Sequence, residues 1–207
     1  LHRVDRRQRQ MCIRDSSYLS LLKSVFRLFI TEPQLRKRGM IALLIFAAFS
    51  MLWTTMVMPL TALSLTHTQT GMFGLAGMAG VLAASRAGKW ADRGFAQRTT
   101  GLALALLVFS WLPVAYVENS LCWLVAGIIA LDFAVQAVHV SSQSLIIAAR
   151  PAAASRLVGA YMCFYSLGSA AGALIATQLY AYWGWQAVCL AGASVSACAF
   201  LIWSGSR

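Results

Sequence analysis

Long apolar runs are the feature that most constrains how this chain can fold. Six stretches of about 20 residues or more carry almost no charge: 40–62, 70–88, 100–117, 121–149, 157–182 and 185–204. A helix needs about 20 apolar residues to cross a hydrocarbon core of ~30 Å. Only 11% of the residues are charged, where soluble domains have about a quarter. The sequence therefore predicts an all-α membrane protein, a bundle of six transmembrane helices.

The basic residues predict how the bundle is oriented. After position 16, every lysine and arginine falls before the first span, around the loop between the second and third spans, between the fourth and fifth spans, or at the last position. The alternate loops, ALSLTHTQT, VENS and WGW, have none. By the positive-inside rule the basic side is cytoplasmic, with both ends of the chain there. The net charge of +11 is thus a topology signal in a cell (inner) membrane, and we expect no nucleic-acid partner.

The N-terminal segment differs from the rest. Residues 1–16, LHRVDRRQRQMCIRDS, contain five arginines and two aspartates and resemble a translated sequencing adaptor, so we expect a non-native scar. Without them the net charge is 11 − (5 − 2) = +8. Residues 17–38 are predicted to form a cytoplasmic linker or interfacial helix, and residues 39–207 the six-helix domain. We expect that part of the natural gene precedes this chain.

A polar stripe interrupts the fourth span, within ALDFAVQAVHVSSQSL. At 100° per residue its four members lie within about 60° of one another: Asp132, Gln136, His139 and Gln143. An aspartate at bilayer depth costs roughly 2.5–3.5 kcal/mol, so it should face a partner or a wet cavity. Two interpretations stay open, a structural polar network between helices and a site that binds substrate or protons.

Three other spans carry weaker patterns. In the first span, Ser50, Trp53, Thr54 and Thr61 share a face, and Pro59 can kink its end. We take Trp53 and Thr54 as further candidates for the substrate or proton site. Four glycines in the second span, and Gly168 with Gly172 in the fifth, predict close helix contacts.

The sequence gives little sign of enzyme chemistry. Its cysteines have no metal-ligand spacing and read as small apolar residues. An intramembrane serine protease would need a nucleophile near a base, and there is no GxSxG run. We expect no enzyme activity, no cofactor and no metal.

The loop between the second and third spans holds the most specific motif, GKWADRGFAQR at 88–98. Gly88 lets the helix end approach a neighbour, Asp92 can accept bonds from helix N-terminal amides or Arg93, and Arg98 can anchor at the headgroups. The motif resembles the loop motif of the major facilitator superfamily, G-x-x-x-D-R-x-G. Here Gly94 follows Arg93 directly, one place earlier than in that pattern.

The resemblance extends over nearly everything after residue 16. The fourth and fifth spans are similar to the tenth and eleventh helices of bacterial drug/proton antiporters, in the branch that includes sugar, nucleoside and chloramphenicol exporters. FITEPQLRKRGMIALLIFAAFSMLWTT resembles the central loop and seventh helix. The resemblance implies the C-terminal half of a twelve-helix transporter, in which the seventh and tenth helices line the cavity. It also implies a gating role for the loop motif, with Asp92 engaging the missing N-terminal six-helix half.

The function implied is proton-coupled efflux of a small organic solute by alternating access, with the solute, protons, lipid bilayer and missing half as partners. The alternative is a structural six-helix membrane subunit without transport activity of its own, in which the polar stripes are assembly contacts.

Overall fold

The computed structural model describes residues 27–117 and 119–205, apart from the side chains at positions 67, 70, 72 and 79. Predictions for residues 1–26 therefore lie outside the described residues. The main elements are α1 (Pro33–Thr55), α2 (Val57–Ala62), α3 (His67–Ala76), α4 (Ala79–Asp92), α5 (Ala96–Ala115), α6 (Leu121–Ala149), a 3-10 turn (Pro151–Ala153) and α7 (Ala154–Ser204). The all-helical prediction is confirmed for the described part of the chain.

Four of the described helical segments are long and apolar enough to cross a membrane. They are Pro33–Ala62, Ala96–Ala115, Leu121–Ala149 and Pro151–Ser204. The predicted second span is divided into two shorter helices, and the predicted fifth and sixth spans are joined in one long helical segment. The count of six spans therefore stays a prediction.

Prolines mark the start of the first span and an interruption near its end. Helix α1 begins at Pro33, seven residues earlier than predicted, because proline suits a first helical position, where no N–H is needed. The helix is interrupted at Met56. Pro59 has no N–H, and its ring conflicts with the carbonyl four residues earlier, that of Thr55. The interruption lies three residues before the proline, and a kink of the helix axis there stays a prediction.

The second span is broken at Gly77 and Met78, where we predicted one continuous helix. The N–H groups of both residues bond to carbonyls three positions back, those of Gly74 and Leu75, as in a 3-10 turn. Gly77 lacks a side chain to fill the space beside α6, and a carboxylate of α6 approaches it there instead. The 3.6-residue pattern of the sequence contains no sign of this contact.

Helix α7 changes direction at Gly184, where φ is +73° and ψ is −168°. This region is essentially open to glycine alone. The two parts of α7, 154–183 and 185–204, are here called the first and second arms. Just after the break, Trp185 and Gln186 donate hydrogen bonds to the carbonyls of Val114 and Ala115 (3.1 and 2.9 Å). The second arm is thereby fixed to the end of α5.

Neighbouring residues give the relative directions of the helices. Helix α1 runs antiparallel to α6, because Trp53 meets Asp132 and Phe46 meets His139. Helix α4 and the turn before it run parallel to α6, since Gly77 lies beside Asp132 and Gly80 beside Gln136.

The remaining contacts complete the pattern. The first arm of α7 runs parallel to α1, with Gly168 at Leu43 and Gly172 at Ala47. Helix α5 runs antiparallel to the second arm, with Trp111 at Ser196 and Gly101 at Trp203. The start of α5 lies at Arg38 of α1 and its end at Gly127 of α6, so α5 runs antiparallel to α6 and the successive spans alternate in direction.

The glycine predictions are confirmed in part. A β-carbon at Gly168 or Gly172 would overlap the backbone of α1, so both glycines allow close contact between the helices. Gly77 and Gly80 are likewise close to α6. Gly71 and Gly74 face open space among the described residues, so a packing role for these two stays a prediction.

Candidate functional site

Helix α6 carries the polar stripe to the junction of α1, the second span and the first arm of α7. Ser120 caps the start of the helix, since its side chain accepts a hydrogen bond from the N–H of Cys122 (3.2 Å). The helix then continues for 29 residues, so all four stripe residues lie on one unbroken helix. Their side chains divide into two groups along its length.

The first group surrounds Asp132. Its Oδ1 accepts a hydrogen bond from the indole Nε1 of Trp53 (3.1 Å). Its Oδ2 lies against Gly77, where an added β-carbon would come within 2.7 Å. Asp132 is 4% exposed, so its carboxylate is enclosed by α1 and the break in the second span. A carboxylate with few donors in such a place can bind a proton or a cationic group.

Gln136 extends this group by one turn. Its Cγ lies beside Gly80, whose added β-carbon would meet it at 2.9 Å. Gln136 is partly exposed, whereas Asp132 is buried. The stripe is therefore sealed at Asp132 and open from Gln136 onward.

The second group surrounds His139. Its Nδ1 lies 3.3 Å from the hydroxyl of Tyr161, and its Nε2 lies 3.3 Å from the amide nitrogen of Gln143. Phe46 of α1 stands edge-on to the imidazole, with ring centroids 5.1 Å apart. Helix rise puts Asp132 and His139 about 10 Å apart, so the two groups are separate.

The stripe predicted on the first span is only partly brought to this junction. Trp53 reaches Asp132, but Thr54 is exposed. Thr61 is also exposed, and its hydroxyl bonds to the carbonyl of Val57 (2.8 Å). The sequence did not distinguish these residues because all of them fall on one side of an ideal, unbroken helix.

Tyr161 and Tyr165 were missed by the sequence analysis. Tyr161 is fully buried and contacts His139, and the ring of Tyr165 packs on Phe46 with centroids 4.1 Å apart. A signal was present: 161, 165, 168 and 172 repeat the spacing of 132, 136, 139 and 143, so the tyrosines share the face of the two contact glycines.

The burial of Arg38 was not predicted by the sequence analysis, which used this residue only as one of the basic residues before the first span. Arg38 is 6% exposed, and its guanidinium donates to the hydroxyl of Thr100 (3.3 Å) and to the side-chain oxygen of Gln97. Among the described residues no carboxylate pairs with it. Arg38 therefore joins the start of α1 to the start of α5 by neutral partners.

The loop motif forms a tight helix ending. Gly94 has φ of +82°. Its N–H bonds to the carbonyl of Ala91, and the N–H of Phe95 bonds to the carbonyl of Trp90 (both 2.9 Å). These two bonds make a Schellman cap, which requires a left-handed residue at this place. The early glycine of the motif thus ends α4.

The charged residues of the motif remain at the surface. Asp92, Arg93 and Arg98 are exposed, and the Arg98 guanidinium lies 5.8 Å from the ring centre of Phe95. Gly88 is half-buried, and its added β-carbon would meet Val140 of α6 only at 4.0 Å. Within the described part of the chain Asp92 has no ion pair, so its carboxylate is free to contact another surface.

Three known proteins with similar sequences are named as transporters. Two Escherichia coli proteins described as the uncharacterized transporter YgaY, from strains K12 and O157:H7, are each 42% identical over 190 residues, which is 90% of this chain and 48% of theirs. "Probable transporter SCO4007" of Streptomyces coelicolor is 33% identical over 156 residues, 72% of this chain and 35% of its own. This chain spans about half the length of the YgaY proteins.

The profile of the Major Facilitator Superfamily matches residues 38–206, which includes most of α1, all of α2 to α7, both groups of the polar stripe and the loop motif. The chain belongs to the major facilitator superfamily.

Proposed function

We propose that this chain is one half of a secondary transporter that exports a small organic solute in exchange for protons. The observation that carries the proposal is the buried carboxylate of Asp132, held by Trp53 where α1, α6 and the broken second span meet. Charged groups at such a depth are expensive, and they commonly serve solute or ion pathways. The described helices alternate in direction, which supports six membrane crossings and a second half that closes the cavity.

In this proposal the stripe forms one wall of the cavity. Gln136, His139 and Gln143 are partly exposed and bind the solute or a proton, while Asp132 exchanges a proton as the cavity opens and closes. Trp53 supplies an apolar wall, and Thr54 faces the other half. The exposed loop residues Asp92, Arg93 and Arg98 contact that half when the cytoplasmic side closes.

The test uses the complete protein encoded by the gene that contains this chain, reconstituted in liposomes. An imposed pH gradient is applied with a panel of sugars, nucleosides and amphenicols, and the solute-induced proton flux is followed with a pH-sensitive dye. Asp132→Asn keeps an oxygen that accepts the Trp53 hydrogen bond but cannot release a proton. We expect it to lower coupled flux at least tenfold.

Glu32→Gln is the matched control. It also removes a carboxylate, one that pairs with Arg150 (2.7 Å) at the edge of the bundle, and we expect flux close to the wild type. Equal coupled flux in Asp132→Asn and in the wild type would rule out the role given to Asp132.

A structural role for the stripe is the second candidate, favoured by the near-complete burial of Asp132. In that case the Trp53–Asp132 bond only ties two helices together. Asp132→Asn should then lower the thermal unfolding temperature, and neither the variant nor the wild type should move any solute of the panel.

A further inference from the structure

The hydrogen-bond partners of His139 differ from those of Asp132 in one chemical respect. Asp132 receives its bond from the indole of Trp53, which can only donate. His139 lies between a phenol hydroxyl at Nδ1 and a side-chain amide at Nε2, both at 3.3 Å. A hydroxyl and an amide can each donate or accept. The surroundings of His139 can therefore adapt to a change in its protonation.

Each state of the imidazole can be satisfied by small rotations. A neutral ring has one donor and one acceptor nitrogen, and a protonated ring has two donors. Turning the Tyr161 hydroxyl and the Gln143 amide gives a partner to every nitrogen in both neutral tautomers and in the protonated form. No ring or helix has to move, so this site can take up and release a proton at small cost in reorganisation.

Aromatic neighbours hold the imidazole in this orientation. Phe46 meets it at 89° with centroids 5.1 Å apart, and the ring of Tyr161 lies 5.5 Å away at 39°. Tyr165 covers another side at 6.3 Å. Tyr161 is itself fully buried, so bulk water cannot replace His139 as the hydrogen-bond partner of its hydroxyl.

Within the described part of the chain, few charged or titratable groups surround His139. On α1, Arg38 lies within electrostatic range of the Tyr161 hydroxyl. On α7 there are Tyr161 and Tyr165. On α6 itself, Asp132 lies about 10 Å along the helix. The Ser142 hydroxyl is close to that of Tyr161 but outside hydrogen-bond geometry.

We propose that Tyr161 is a positioning residue that presents His139 as a proton-exchange group of the cavity, with Nδ1 toward α7 and Nε2 toward Gln143. This inference rests on the proposed proton-coupled transport. It adds a residue of the fifth predicted span to a site otherwise built from the first and fourth.

The test measures the imidazole directly. The complete protein is labelled with 15N-histidine and placed in lipid nanodiscs, and the signal of His139 is assigned by its loss in His139→Gln. Tyr161→Phe keeps the ring and removes the hydroxyl, so the frequency of Nδ1 should change more than that of Nε2. Gln143→Met removes the other partner, so Nε2 should change more than Nδ1.

Tyr165→Phe is the matched control, because Tyr165 touches His139 by its ring only among the described contacts. We expect both nitrogens to keep their wild-type frequencies. Wild-type spectra in Tyr161→Phe would overturn the inference, whatever the transport assay gives. A general loss of structure is recognised when Tyr165→Phe changes the spectrum as much as Tyr161→Phe does, and this outcome also overturns it.

Transport separates the inference from the proposed function. In liposomes, Tyr161→Phe should move the pH of half-maximal coupled flux by about half a unit or more, the scale of one hydrogen bond. A changed Nδ1 signal with an unchanged flux profile would overturn the inference, because Tyr161 would then orient an imidazole that takes no part in proton coupling, while the proposed function, tested at Asp132, would stand.

Discussion

Single glycine residues determine how closely the first arm of α7 approaches α1. Gly168 and Gly172 lie four residues apart and face Leu43 and Ala47, which are also four apart. In lipid no hydrophobic effect drives helices together, so their association depends on close packing of this kind. The close approach also places Tyr165 and Tyr161, on the same face of the first arm, beside α1 and the polar stripe.

Gly168→Ala should destabilise the folded protein by about 1–3 kcal/mol, because its methyl group meets the backbone of Leu43, which cannot rotate away. Gly159→Ala lies on the same helix with nothing within 4 Å. As an exposed helical glycine it should give no loss, or a gain of about 0.5–1 kcal/mol. The free energy of unfolding, measured by denaturant titration in micelles, tests the pair. Equal values for both variants would show that the contact contributes nothing.

At the scale of elements, breaks in the helices matter as much as the helices. Helix α7 can pack on both α1 and α5 only because it turns back at Gly184. The second span breaks beside Asp132, and the first breaks one turn before Pro59. Each break has a local cause, in glycine, in proline or in a side chain of another helix.

Gly184→Ala should destabilise the protein by about 1–3 kcal/mol, since alanine has no low-energy conformation at φ +73° and ψ −168°. The control is Gly205→Ala, at φ −72° and ψ −4°, where alanine fits readily. Thermal unfolding in detergent compares the two. A melting temperature for Gly184→Ala as high as that of the control would mean that the turn relaxes into an ordinary conformation.

At the scale of the whole molecule, features that lie within one helix could be predicted from the sequence. Contacts between helices could not. The 132–143 stripe follows from helical spacing, and the apolar runs from length and hydropathy. Tyr161 and Gly77 gained their roles only when the structure placed other helices beside α6. Nothing local in either stretch states which helix will be the neighbour.

Arg38 shows the same limit. In LRKR it resembles its exposed neighbours, and only its helical spacing from Leu35, Ala42 and Ile45, all buried, places it on the inner face. The charge pattern indicated only the cytoplasmic side, while the periodicity favoured the core. Neutral partners on α5 made burial possible.

The alternating directions of the described segments predict a definite membrane topology. In the complete protein with its cysteines replaced, single cysteines are placed at Leu63, Arg93, Asn119 and Ala152, all exposed positions in or beside the connections. A membrane-impermeant maleimide should label positions 63 and 119 in intact cells. Positions 93 and 152 should react only after permeabilisation, because the positive-inside rule places them in the cytoplasm. Same-side labelling of 63 and 93 would mean that the broken second span does not cross, and the six-helix bundle would be wrong. Opposite-side labelling requires that α3 and α4 cross the bilayer together despite the turn between them, with Asp132 held against that turn.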